Sequence, residues 1–257
     1  MRFAITERIA KKSFAACFIV TGLWAVPGFT STEFQSGPNQ VAVLELFTSQ
    51  GCSSCPPADH WVSNLIERKG LWTEYVPLAF HVDYWDYIGW KDRFASPDNS
   101  ARQRKYAEDG SVEFVYTPGF LINGEEWRQW RNVTEPPISR NDAGVLSVSI
   151  KEGGTFVRFE PPSSRTKTLL ATVAILGFGL ESDVVAGENG GRKLLNDFVV
   201  LGTNRAPMIN ADGSFSTKLQ TPTSDVSSSR RAVVVWVSAS GSQIPLQATG
   251  GWLSDIP

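Results

Sequence analysis

A chain of 257 residues with 42% hydrophobic content is long enough for a sizeable core, in one large domain or two modest ones. Charged residues make up 19% and the net charge is −2, so no nucleic-acid surface and no like-charged tail is expected. Nine tryptophans are many for this length, and tryptophan serves both cores and ligand grooves.

The N-terminus reads as an export signal. Arg2, Arg8, Lys11 and Lys12 flank a mostly apolar run from Ser13 to Val26, which Pro27 and Gly28 break. The run is too short to span a bilayer comfortably. The expectation is a signal peptide over residues 1–30 and a periplasmic or secreted protein; an uncleaved anchor is the rival reading. Cleavage there removes four of the 24 basic and one of the 26 acidic residues, leaving a charge of −5 that argues against a membrane partner. Cys17 leaves with the signal, so the mature chain keeps only Cys52 and Cys55, in an oxidising compartment.

Residues 31–40 are a polar lead-in. Val41 to Phe47 is a short run apolar on both faces, which predicts a buried strand. From Pro56, apolar residues at Ala58, Trp61, Val62, Leu65 and Ile66 recur at helical spacing until Gly70. A strand is expected over Val76–Val82 and a polar helix over Ser96–Glu108. Strand-like runs Glu113–Tyr116 and Gly119–Ile122 flank Thr117-Pro118, and Asn123-Gly124 is a tight-turn dipeptide. Strand alternating with helix predicts an α/β domain over residues 38–134. After a linker over Thr134–Gly144 with Pro136, Pro137, Asn141, Asp142 and Gly144, short apolar runs at Val145–Ile150, Phe156–Phe159, Leu169–Leu176, Leu194–Leu201, Ser214–Leu219, Ala232–Val237 and Leu246–Leu253 predict a separate β-rich, sandwich-like module over 145–254.

The stretch Phe47-Thr-Ser-Gln-Gly-Cys-Ser-Ser-Cys-Pro-Pro-Ala-Asp59 carries the chemistry. A strand, a polar turn and Cys-x-x-Cys opening a helix set the first cysteine, Cys52, at a helix N-terminus, where unpaired N–H groups and the dipole favour the thiolate. Cys52 is then the exposed nucleophile and Cys55 its resolving partner, with protein or small-molecule thiols and disulfides as partners and no cofactor. Two rival readings stay open. An inert disulfide is disfavoured because so short a loop constrains the unfolded chain little. A zinc or copper site needs more ligands, and only His60 and His81 are available. Residues 187–193, Gly-Glu-Asn-Gly-Gly-Arg-Lys, lack the spacing of a phosphate loop; Gly190-Gly191 reads as a hairpin turn.

At the end of the strand expected over Val76–Val82, His81, Asp83 and Trp85 alternate and are expected to share a binding rim, with Trp85 stacking, Asp83 hydrogen-bonding and His81 carrying a proton. Core packing and a capped turn are the plainer reading. Arg102, Gln103 and Tyr106 either complete that rim or lie on a solvated helix face.

The cysteine stretch, together with Leu78-Ala-Phe-His-Val-Asp-Tyr-Trp-Asp-Tyr-Ile-Gly-Trp90, Arg102-Gln-Arg-Lys-Tyr-Ala107, Val115-Tyr-Thr-Pro-Gly-Phe-Leu-Ile-Asn-Gly124 and residues 187–200, resembles the exported thioredoxin-like proteins grouped as domain of unknown function 1223. The resemblance covers about Val41 to Trp236. It implies an α/β thioredoxin-like domain followed by the β-rich module, and a cis-proline at Thr117-Pro118 shaping a substrate-docking edge. It also implies that Glu45, inside the first strand, is a buried acid relaying a proton for Cys55; pairing with an arginine is the alternative. Two other functions remain open: a periplasmic binding or assembly protein with a structural disulfide, and metal handling through Cys52, Cys55 and His81.

Overall fold

The computed structural model describes residue 1, residues 31–164 and residues 168–253. Met1 apart, the expected signal peptide lies outside them, with Cys17. Among the described residues no helix is long and apolar enough to cross a membrane.

The apolar runs form strands, as their composition demands: β1 (Thr32–Gln35), β2 (Ala42–Thr48), β3 (Tyr75–His81), β4 (Gly119–Ile122) and β5 (Glu125–Glu126) in the first half. The second half adds β6 (Val145–Lys151), β7 (Gly154–Glu160), β8 (Leu169–Phe178), β9 (Leu180–Val184), β10 (Arg192–Asn196), β11 (Val199–Pro207), β12 (Ile209–Ala211), β13 (Ser214–Leu219), β14 (Arg230–Ala239) and β15 (Pro245–Trp252). Among the described residues two α-helices accompany them, α1 (Pro56–Ser63) and α2 (Pro97–Glu108). The expected helix through Ile66 tightens to a 3₁₀ turn over Asn64–Glu67. Ser96 caps α2, its Oγ accepting from the Asn99 N–H at 3.2 Å. Glu113–Tyr116 forms no strand.

The expected fold class is overturned. The chain is not an α/β thioredoxin-like domain followed by a sandwich-like module; it is predominantly β, built on large sheets shared by both halves. Eight strands form one mixed sheet in the order β15-β14-β8-β11-β3-β2-β4-β5. The join is β3 to β11, parallel at Ala79 and Val199, with the Ala79 N–H donating to Phe198 O at 2.9 Å. A second sheet, β1-β6-β7-β13-β12, packs on one face of β8 and β14, and β9 with β10 forms a separate hairpin.

Burial explains why pattern reading split the chain. Strands β6 and β7 alternate buried and partly exposed residues, as in an antiparallel sheet with one wet face. Strands β8 and β14 are buried over nearly their whole length because they are covered on both sides. Val173, Val233, Val235 and Val237 face the second sheet. Ala174, Leu176, Val234 and Trp236 face a core they share with Leu44, Phe47 and Phe80 of the first half.

Candidate functional site

Four segments meet at the cysteines: the turn from Ser49 to Cys55, the stretch after β3, the loop before β4, and the loop joining β9 to β10. In the turn, the Cys52 N–H donates to Ser49 O and the Cys55 N–H to Cys52 O, each at 3.2 Å. The N–H groups of Ala58 and Asp59 donate to Cys55 O at 2.8 and 3.1 Å. Cys55 therefore caps α1, and Pro56 and Pro57 fill first-turn positions where a missing N–H costs nothing. Cys52 lies one turn earlier.

Both cysteines are free thiols and both are buried, Cys52 at 1% exposure, which corrects the expectation of an exposed nucleophile. Their proton affinities diverge. A hydrogen bond from the Cys55 thiol outweighs burial and holds Cys52 down to about 6, with Ser54 Oγ at 3.2 Å assisting. Burial, then that same bond, push Cys55 well above the ordinary thiol value. At neutral pH the pair is a Cys52 thiolate beside a Cys55 thiol.

The cover comes from the second half of the chain. Asn189 Nδ2 donates to the carbonyls of Gln50 and Cys52, both at 2.9 Å. The Glu188 carboxylate accepts from the Ser53 N–H at 2.9 Å and from its hydroxyl at 2.7 Å, between the two cysteines. Gln50 is fully engaged: its N–H donates to Asp92, its Nε2 to Ser182 and Asn196, and its Oε1 accepts from Trp90. Residues 187–193 thus do more than turn a hairpin; they clamp the cysteine loop. Asn189→Ala leaves two buried carbonyls without that donor and is expected to cost about 1–3 kcal/mol, read from the shift of the urea midpoint.

On the other side, the Thr117–Pro118 peptide is cis, and Thr117 O lies 3.8 Å from Cys52 Sγ. Thr117 Oγ1 accepts from Trp85 Nε1 at 2.7 Å. Gln103, buried on α2, donates from Nε2 to Tyr116 O at 2.7 Å and accepts from the Tyr84 hydroxyl at 3.0 Å. A groove of about 420 Å³ runs from Pro118 past Tyr116, Phe120 and Trp127 to Arg131.

The expected rim of His81, Asp83 and Trp85 does not form. His81 ends β3 wholly buried, its Nδ1 2.7 Å from Asp92 Oδ2, and Asp83 and Trp85 lie beyond the strand in a turn. Asp83 accepts from the Ser100 hydroxyl and ties down α2. Trp85 alone remains against the cysteine neighbourhood, through Thr117. Nor do Arg102, Gln103 and Tyr106 make a rim or a solvated face. Gln103 and Tyr106 are buried, and Arg102 points inward to Glu45.

Glu45 is buried and engaged elsewhere. Arg102 grips it with two bonds, Nε to Oε2 at 2.6 Å and Nη2 to Oε1 at 2.9 Å, and the Tyr106 hydroxyl donates to Oε1 at 2.6 Å. Strand parity explains this. Side chains alternate along β2, so Glu45 and Phe47 face α2 while Thr48 faces α1. The arginine-paired alternative is the observed one.

The acid near Cys55 is Asp59, four residues on and so one helical turn away. It accepts from the Thr48 hydroxyl at 2.7 Å, and burial raises it to about 7 against the opposing pull of His81. His81 and Thr48 are register partners on adjacent parallel strands, so their side chains share the face that Asp59 covers. The Asp92 charge lifts His81 above its ordinary value although burial opposes it. Among the described residues no three His, Cys, Asp or Glu side chains converge as a metal cage.

Residues 43–238 match the profile of a family described as protein of unknown function (DUF1223). The structure is similar to the crystal structure of a protein from Agrobacterium tumefaciens, at 23% identity and TM-score 0.55, over 83% of this chain and 94% of that one. It is also similar to HBP35 of Porphyromonas gingivalis, at 16% identity and TM-score 0.54, over 85% and 76%. At such identities the likeness is one of fold. Comparison with curated protein sequences gave no match.

Proposed function

From the premise that the chain belongs to the DUF1223 family of proteins of unknown function, we propose that it exchanges thiols and disulfides through Cys52 and Cys55. The observation that carries this is the setting of the pair. Cys55 caps α1, and Cys52 Sγ, one turn earlier, accepts from the Cys55 thiol and has Ser54 Oγ at 3.2 Å and Thr117 O at 3.8 Å. That arrangement holds Cys52 down to about 6 while burial pushes Cys55 well above the ordinary thiol value. A thiolate is the attacking species, and a protonated neighbour waits to resolve the mixed disulfide. In the forward step the Cys52 thiolate bonds to one sulfur of a disulfide, whose S–S bond breaks and whose other half leaves as thiolate. Cys55 then bonds to Cys52 Sγ, releases the second half, and leaves the pair oxidised and the substrate reduced by two electrons. The reverse sequence oxidises a dithiol.

The cover over Cys52 supports narrow partners, a small thiol or an extended chain entering along the Thr117–Pro118 edge. In this reading residues 1–30 are an export signal and the exchange takes place in the periplasm or outside the cell. The test is titration of the protein against glutathione buffers, read by thiol alkylation and mass. A reversible two-electron transition is expected, together with a trapped mixed disulfide at Cys52 in Cys55→Ser and none in Cys52→Ser. A pair that stays in one state across the whole glutathione range would overturn the proposal.

A further inference from the structure

We propose that Thr48 and Asp59 are a proton relay for Cys55, with the buried His81–Asp92 pair behind them; this rests on the exchange chemistry proposed above. The geometry is specific. The Thr48 hydroxyl donates its hydrogen to Asp59 Oδ1 at 2.7 Å, which leaves its oxygen lone pairs free to accept. The same hydroxyl is within hydrogen-bond reach of the Cys55 sulfur and favours its thiolate, so it holds the anion once the proton has passed. A group that accepts from a thiol while donating to a carboxylate moves a proton by a concerted shift. The thiol proton goes to Thr48 Oγ1, and the hydroxyl proton goes to Asp59.

Among the described residues no other acid competes. Glu45 is locked by Arg102 on the opposite face of β2. The titratable groups that bear on Asp59 are Cys52 and Cys55 from the turn, His81 from β3 and Asp92 from the stretch after it; Tyr84 bears on the cysteines. The burial that raises Asp59 near neutrality suits it to take and return a proton there. His81 Nε2 is buried with no hydrogen-bond partner among the described residues, within electrostatic reach of Asp59. A buried polar atom without a partner calls for a role, and the imidazole, held by Asp92, steadies the Asp59 carboxylate once its proton has gone.

Cys55 Sγ–H loses its proton through Thr48 to the Asp59 carboxylate, and the Cys55 thiolate bonds to Cys52 Sγ. The bond between Cys52 and the substrate sulfur breaks, and the substrate departs as thiolate with the electron pair. Thr48 lies beside the Cys55 sulfur and Asp59 reaches it through the Thr48 hydroxyl, whereas His81 and Asp92 act only through Asp59 and are positioning residues.

The experiment mixes reduced protein with dipyridyl disulfide and follows pyridinethione release in two phases. The first reports Cys52 attack and the second Cys55 resolution. Thr48→Val keeps the shape and removes the hydroxyl; it is expected to slow the second phase by about a hundredfold. It should also move the alkaline limb of that phase upward in pH and leave the first phase unchanged. Asp59→Asn should do the same, and Thr48→Ser should restore both rate and limb. A normal first phase with an unchanged second phase and pH profile in Thr48→Val would overturn the relay alone. Absence of the first phase in the wild type would overturn the exchange reading, and the relay with it.

Discussion

Asp59→Asn is expected to make the reduced protein more stable than the wild type at about pH 8, and no more stable at about pH 3. Asp59 is buried beneath β2 and α1, and its carboxyl is raised from 3.8 to about 7. The sign follows from proton binding. A group raised in the folded state stabilises fully below its unfolded value and loses that stabilisation as pH climbs through the folded one. The window therefore runs from the ordinary carboxylate range to about 7. Each unit in it is worth about 1.36 kcal/mol, so the whole difference approaches about 4 kcal/mol. Asparagine carries no charge to bury and keeps an oxygen to accept the Thr48 hydroxyl. Urea unfolding across this range, in reductant, gives two curves that should diverge as pH rises. Parallel curves would mean that Asp59 does not titrate in this window, and the acid proposed for Cys55 would be gone.

Arg102→Met is expected to cost about 3–5 kcal/mol, the penalty for leaving a buried charge without its partner. Glu45 is fully buried, and Arg102 supplies both charged bonds to it; the Tyr106 hydroxyl alone cannot replace a guanidinium. The double variant Glu45→Leu with Arg102→Met should recover most of the loss, because no ion remains to desolvate. Urea midpoints of the four proteins form the cycle. A single variant within about 1 kcal/mol of the wild type would show that Glu45 does not need its arginine. Glu45→Gln should also leave the pH profile of Cys55 unmoved, since the two side chains lie on opposite sides of β2.

Local signals read well in this chain because they depend on local physics. Cys-x-x-Cys followed by two prolines marks a thiol pair near a helix start, although it is Cys55 and not the expected Cys52 that caps α1. Strands β2 and β3 and helix α2 fall within a residue or so of their apolar and capping patterns. Even the parity that separates Glu45 from Thr48 is written in strand alternation, and Asp59 stands one helical turn from Cys55. What residue order alone left undecided is pairing over distance. A strand buried on both faces looks the same whether its neighbour is the next strand or one more than a hundred residues away, so β3 beside β11 was invisible and the chain read as two units. For the same reason the hands that hold the site, Asn189, Glu188, Asp92 and Gln50, carry no local mark. Asn189, Asp92 and Gln50 are ordinary polar residues until the fold removes them from water and sets them against their partners, and Glu188, which stays exposed, until the fold sets it over Ser53. Burial, which raises Cys55 and Asp59, is likewise a property of the assembled layers: residue types name the groups that titrate, and only packing sets where.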